Sequence, residues 1–319
     1  RGAVRRFGRG GRLHRRQLLC RCRGDVITRV RRAAAVVAFV LLAAGCPQAR
    51  AAPIAVLAAE NFYGDVAAEL GGPWVAVRSV LESPDVDPHL FEVSPSVGRA
   101  VSRARIVIAN GLGYDPWMQR LLEATGGHGR TTITVGQLIG GKPGDNPHIW
   151  YDPRSMLALA TALEPVLAAF DPAHARDFAR HLAKFQAAIA EVEARIAGLR
   201  TRFAGTPVAA TEPVFGAMFA ALGMPVRNWR FQVAVMNNAE PSAAEIAHFE
   251  ADLRQHKVAL LVYNRQASSP VAARMEAIAK EAAVPVLGVT ETEPPGVTYQ
   301  AWMLAELDTL ARLLPAKKP

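Results

Sequence analysis

Cysteine is nearly missing from this chain. Its 319 residues include Cys20, Cys22 and Cys46, and none beyond position 46. The long remainder therefore has no disulfide, no thiolate metal ligand and no cysteine nucleophile. A domain of this kind must hold itself through its apolar core, and 50% hydrophobic residues supply the material. Lysine is absent from the first 50 residues, which carry thirteen arginines and a single acid, Asp25. The formal charge of +9 belongs to that segment, because 24 basic and 27 acidic residues follow it. A nucleic-acid-binding body thus loses its electrostatic basis. Catalytic signatures are missing as well: there is no HExxH, no GxSxG and no nucleophile set beside a histidine.

Apolar runs long enough to cross a membrane, roughly 20 residues, are also missing. The run from Ala33 to Gly45 is shorter. It follows Arg29, Arg31 and Arg32 and precedes Ala49-Arg50-Ala51, a small-x-small cleavage site. Basic, then apolar, then small is the order of a secretory signal peptide. This assigns 1–51 to a leader, with residues 1–28 an over-long gene start rather than a functional arm, and starts the mature chain at Ala52. Leu42-Ala43-Ala44-Gly45-Cys46 loosely resembles a lipobox, so a lipid anchor at Cys46 stands as the alternative to a free periplasmic form.

The mature chain alternates strand and helix. Ile54-Ala-Val-Leu-Ala58 is a continuous apolar run, as expected of a strand buried on both faces of a parallel sheet. Further strands are predicted from Trp74 to Val80, Arg105 to Asn110 and Thr132 to Val135, with helical patterns between them. Pro153 to Phe203 is helical and broken at Asp171-Pro172. From Ala173 the apolar positions Phe178, Leu182, Phe185, Ile189, Val192, Ile196 and Leu199 recur at three and four, one amphipathic helix of about 30 residues and roughly 45 Å. Alternation then resumes: strands over Pro207–Thr211, within Val226–Val235, and over Val258–Tyr263 and Val284–Val289, with helices over Ser242–Arg254, Pro270–Ala282 and Tyr299–Leu314. The expected fold class is α/β, two lobes each with a small, mainly parallel sheet flanked by helices, joined by a long rigid helix. The limits are 52–172 for the N-terminal lobe, 173–204 for the linking helix and 205–319 for the C-terminal lobe.

Two Pro-His turns stand out. Asp87-Pro88-His89 is followed by Ser94-Pro95-Ser96, where Ser94 can cap a helix starting at Pro95. Asn146-Pro147-His148 is followed by Ile149-Trp150-Tyr151-Asp152-Pro153. A lone histidine is more often an ordinary surface or core residue than a ligand. Glu212 and Glu291, however, close two strands of the second half, and α/β sheets bind ligands beyond the carboxyl ends of their strands. His89, His148, Glu212 and Glu291 are 59, 64 and 79 residues apart, so they form no local finger but a site assembled from two halves. Two imidazoles and two carboxylates suit a transition metal. Glu293 is the alternative to Glu291. Glu60, at the end of the first strand, reads either as a partner that fixes a histidine tautomer or as a solvated rim residue. Asp87 and Asn146 read as turn formers. His174, His181, His248 and His256 read as surface, and Trp117, Trp150 and Trp302 as core.

In order along the chain, Glu60-Asn61-Phe62-Tyr63-Gly64-Asp65, Asp87-Pro88-His89, Ile108-Ala109-Asn110-Gly111, Tyr114-Asp115-Pro116-Trp117-Met118, Asn146-Pro147-His148-Ile149-Trp150, Glu212-Pro213-Val214-Phe215-Gly216, Glu240-Pro241-Ser242 and Thr290-Glu291-Thr292 resemble the metal-binding (zinc/manganese) solute-binding proteins of ABC transporters, the TroA-like cluster A-I family. The resemblance runs from about residue 54 to 314. It implies two α/β lobes joined by a rigid helix and one divalent metal ion held as cargo between them, with the family's ligands falling on His89, His148, Glu212 and Glu291. It implies no enzyme activity, delivery to an ABC permease and its ATPase, no nucleic-acid partner, and a monomer that meets the membrane through the permease or a lipid anchor at Cys46. The third ligand is glutamate where zinc receptors carry histidine, and His128 is the one histidine between the first two ligands. These departures favour Mn²⁺, with Zn²⁺ next and Fe²⁺ possible. The alternatives are a secreted metal-dependent hydrolase, or an adhesin on the same fold.

Overall fold

The computed structural model describes residues 52–314, apart from Val86, Asp87, His89, Leu90, His128, Asn238 and Ser268. The leader with Cys46, and the turn at Asp87 and His89, lie outside the described residues.

The first half is built around β1 (Ile54–Glu60), whose residues are almost all buried. It is followed by α1 (Asn61–Gly71), β2 (Val75–Leu81), α2 (Pro95–Arg103), β3 (Ile106–Ala109), α3 (Pro116–Ala124), β4 (Thr131–Thr134) and the short α4 (Val135–Leu138). The four strands are parallel, in the order β2-β1-β3-β4. From β1 the chain goes first to one side and then to the other. The resulting switch point, between the carboxyl ends of β1 and β3, is where such sheets form a crevice. Glu60 ends β1 opposite Leu81 of β2. At α2 the expected Ser94 side-chain cap is replaced: the Ser94 hydroxyl meets that of Ser96 at 2.7 Å, while its carbonyl accepts from Val97 N at 3.0 Å.

Two helices follow, α5 (Pro153–Phe170) and α6 (Ala175–Phe203). Asp152 caps α5 through its side chain, with Pro153 at the first helical position. The 29 residues of α6 span roughly 44 Å at 1.5 Å each. Its buried stripe is Phe178, Phe185, Ile189, Val192, Ile196, Leu199 and Phe203, a step of three or four from Phe185 onward. The stripe packs on α5 and α1 of the first half and on two helices of the second, so α6 belongs to both. His174 and His181, expected at the surface, instead pack against Trp74 with ring centroids at 4.4 and 5.9 Å, and His181 Nδ1 bonds the Leu70 carbonyl at 2.8 Å. An indole left half-buried beside α6 draws both rings onto its faces.

The second half contains β5 (Ala209–Ala210), α7 (Gly216–Leu222), α8 (Trp229–Met236), α9 (Ala243–Arg254), β6 (Leu261–Asn264), α10 (Pro270–Glu281), β7 (Val286–Val289) and α11 (Tyr299–Leu313). Its sheet is parallel, in the order β5-β6-β7. The strand expected within Val226–Val235 is a correction. Only Val226 makes a bridge, to Val208, and Trp229 onward is helical. The reason lies in Asn228, whose side chain accepts from Ala210 N at 3.2 Å and donates to Ala210 O at 2.7 Å. The amide completes the edge of β5 in place of a strand, and the backbone is free to turn into α8. One apolar core runs through both halves, from Ile54 to Leu314, and a second, smaller cluster around Phe231, Phe249 and Met275 lies under α8, α9 and α10. Trp117, Trp150 and Trp302 are all buried in the main core. Among the described residues no helix is long and apolar enough to cross a membrane.

Candidate metal centre

His148 follows Pro147 at the start of a short turn, and its side chain is fully buried. Asn146, expected only to form the turn, does more. Its Oδ1 accepts from His148 N at 3.1 Å and meets His148 Nδ1 at 2.6 Å, and its Nδ2 donates to the Pro213 carbonyl at 2.7 Å. An amide oxygen can only accept, so Nδ1 carries a proton and Nε2 is the ring nitrogen left to face a metal. Tyr114 and Trp150 wall the ring, with centroids at 5.8 and 5.2 Å.

The second half brings up two carboxylates. Glu212 follows β5 and Glu291 follows β7, each at the carboxyl end of its strand and each buried. Asn264, the last residue of β6 between them, donates its Nδ2 to Glu212 Oε2 at 2.7 Å and to Glu291 Oε1 at 2.6 Å. Tyr114 reaches across from the first half and donates to Glu291 Oε2 at 2.7 Å. The same oxygen lies 3.7 Å from His148 Nε2. Gln266 Oε1 accepts from the backbone of Glu291 and Thr292 at 2.6 and 3.0 Å, which fixes the loop. Three of the four residues expected from sequence thus converge at the crevice between the halves. One imidazole and two carboxylates, borderline and hard donors, are buried here and held by oriented amides and a phenol, a chemistry that suits a divalent transition ion. His89 lies outside the described residues, and among those described no group of three His, Cys, Asp or Glu side chains is arranged to hold an ion by itself.

Asn110, Asp115 and Tyr114 form the support on the first half. Asp115 accepts from Asn110 N and Gly111 N, both at 2.8 Å. Gly111 has φ +78°, and a Cβ there would lie 2.5 Å from Thr134 Cγ2, so this turn requires glycine. Asn110 Nδ2 donates to the Pro147 carbonyl at 3.0 Å, and Tyr63 donates to Asn110 Oδ1 at 2.6 Å, which ties the His148 loop to β3. Asn264, Tyr114 and Asn146 are the functional residues that sequence reasoning missed. Asn264 alone left a signal, a polar residue closing the apolar run Leu260-Leu-Val-Tyr263.

Glu293 lies elsewhere. Asn61 holds its backbone in both directions, at 2.7 and 3.0 Å. Burial, with the nearby charges of Asp65 and Glu69, pushes its carboxyl up to about 9. Glu60 is not a solvated rim residue: it is fully buried.

Behind Glu291, Glu306 of α11 accepts from Trp302 Nε1 at 2.9 Å and Tyr151 Oη at 3.1 Å, and Tyr151 bonds the Thr290 carbonyl at 2.7 Å. Burial pushes Glu306 up to about 8, against these hydrogen bonds. An unfolded glutamate titrates near 4.3. Between those values the folded state holds a proton that the unfolded state releases, so stability falls as pH rises across the window, by up to about 1.4 kcal/mol per pH unit. The chelator-treated protein is expected to melt lower at pH 8.5 than at pH 6, and Glu306→Gln to shrink that difference. An unchanged difference in the variant would refute this assignment.

Two parallel α/β halves that share a core and aim buried imidazole and carboxylate groups at one crevice define an α/β binding protein. The family described as ZnuA, zinc-uptake complex component A, periplasmic, matches residues 56–313, and the chain belongs to that family. Among curated proteins it is similar to the manganese-binding lipoprotein MntA of Halalkalibacterium halodurans, 27% identical over 148 residues, which cover 43% of this chain and 48% of that protein. The chain thus spans less than half the length of the curated relatives it matches. Among solved structures it resembles the periplasmic zinc-binding protein TroA of Treponema pallidum, with TM-score 0.67, 17% identity, and coverage of 82% of this chain and 100% of that one. It also resembles a manganese-bound periplasmic metal-binding protein of Candidatus Liberibacter asiaticus, with TM-score 0.66, 18% identity, and coverage of 82% and 99%. At such identities these structures speak to the fold.

Proposed function

We propose that this chain is an extracytoplasmic solute-binding protein that captures a divalent transition metal between its halves and delivers it to an ABC permease driven by an ATPase. The observation that carries this reading is the Asn264 amide, which draws Glu212 and Glu291 together, 2.7 and 2.6 Å away, beside His148. The ligands are His89, His148, Glu212 and Glu291, supplied by lobes 52–172 and 205–319 on either side of the helix at 173–204. Two carboxylates with two imidazoles favour Mn²⁺, with Zn²⁺ next and Fe²⁺ third. The protein works as a monomer in the periplasm, free or anchored through Cys46, without nucleic acid. A family of transport components does not support the hydrolase, nor does it favour the adhesin.

Elemental analysis of the purified protein should find one divalent ion. Added Mn²⁺ or Zn²⁺ at about 100 times its dissociation constant should stabilise the fold by about 2.7 kcal/mol, read as a rise in melting temperature. His89→Ala and Glu212→Ala should each abolish that rise. No bound ion together with no rise in the parent protein would sink the reading.

A further inference from the structure

Among the described residues, Glu60 is a buried acid at this end of the first sheet whose role the four-ligand reading leaves open. It closes β1, the strand at the switch point of that sheet, and its relative exposure is zero. Among the described residues no donor forms a hydrogen bond with either of its carboxyl oxygens. Buried acids are normally held by an amide, a hydroxyl or a cation, and one without a partner costs several kcal/mol if charged. The neighbouring acids here are held: Asp115 by two backbone amides, Glu291 by Asn264 and Tyr114.

Its position points the same way. The opposite residue on β2 is Leu81. The charges of Glu60 and Glu291 both bear on Tyr114, whose hydroxyl sits on Glu291. Tyr63, three residues on, bonds Asn110, and Asn110 bonds the loop that carries His148. Glu60 thus ends β1 at the switch point of the first sheet, near enough to Tyr114 for its charge to act on the same hydroxyl that bonds Glu291. Burial, with the charge of Asp115 and against its own backbone amide, raises its pKa.

We propose that Glu60 is a further protein donor of the metal centre, a third carboxylate that engages the bound ion opposite Glu212 and Glu291 and biases the site toward Mn²⁺. The proposal rests on the metal-receptor reading above. A third hard oxygen raises the donor set beyond the four that tetrahedral Zn²⁺ prefers and toward the five or six oxygen-rich positions that suit Mn²⁺. The residue is then a specificity determinant more than a source of raw affinity.

The test compares the parent protein with Glu60→Gln and Glu60→Asp by chelator-competition titration with Mn²⁺ and with Zn²⁺. Glutamine keeps size and fold and removes the charge. Aspartate keeps the charge and withdraws it by one methylene, which leaves a second readout should the first variant not fold. Mn²⁺ affinity should fall on the order of 10–100-fold in Glu60→Gln, and Zn²⁺ affinity by only about threefold, with Glu60→Asp in between. Equal Mn²⁺ affinity in parent and both variants, within about twofold, would overturn the assignment of Glu60 while leaving the receptor intact. A parent protein that binds neither ion would overturn both.

Discussion

Asn264→Asp is expected to lower the melting temperature of the metal-free protein by on the order of 10 °C at pH 7. The two are the same size, so the change is purely one of hydrogen bonding and charge. The Asn264 amide group has two hydrogens and uses one on Glu212 and one on Glu291. Its oxygen accepts from Gln266 N at 3.0 Å, a role aspartate can keep. Aspartate offers no donor, so two charge-assisted bonds are lost, each worth about 1.5–3 kcal/mol. It also places a third carboxyl within hydrogen-bond distance of two others, and such a group cannot be fully ionised. The total, about 3–6 kcal/mol, converts at roughly 2–4 °C per kcal/mol for a domain of this size. Thermal melts of parent and variant at pH 7 decide it, and a variant within 2 °C of the parent would show that the amide is not what holds the two acids together.

The same residue marks the boundary of what was legible in the sequence. The apolar run at Ile54, the alternation of strand and helix and the periodicity of Phe178 to Phe203 each record a local burial requirement, and local patterns survive in one dimension. Glu212 and Glu291 could be placed because each follows a strand, and the carboxyl ends of parallel strands share one side, whereas His148 was marked only by its Pro-His turn. Asn264, Tyr114 and Asn146 act through hydrogen bonds to residues 52, 177 and 67 positions away, and no spacing rule carries such pairings. The mistaken strand near Val226 has the same origin. Val226, Val233 and Val235 have strand propensity, but the outcome was set by the Asn228 side chain bonding Ala210, 18 residues back. The two histidines on Trp74 were misread because a helix face with polar neighbours gives no sign of an indole waiting opposite.

Glu212→His is expected to raise the preference for Zn²⁺ over Mn²⁺ on the order of 100-fold, about 2.8 kcal/mol at 1.4 kcal/mol per tenfold. Position 212 is well suited to the exchange because its backbone is pinned on both sides: Thr211 N donates to the Val262 carbonyl at 2.9 Å, and the Pro213 carbonyl accepts from Asn146. An imidazole placed there starts from the same backbone and enters the same crevice. Among the four ligands of the proposed function the set changes from two imidazoles and two carboxylates to three imidazoles and one, closer to the borderline set that Zn²⁺ takes and that Mn²⁺ tolerates poorly. Asn264 keeps its bond to Glu291 and loses only the one to Glu212, so the metal-free fold should weaken far less than in Asn264→Asp. Competition titrations of parent and variant with both ions give the ratio directly. Should the ratio stay within threefold of the parent value, the glutamate at 212 is not what sets the choice of ion, and the selectivity must come from elsewhere in the site, with Glu60 the next residue to exchange.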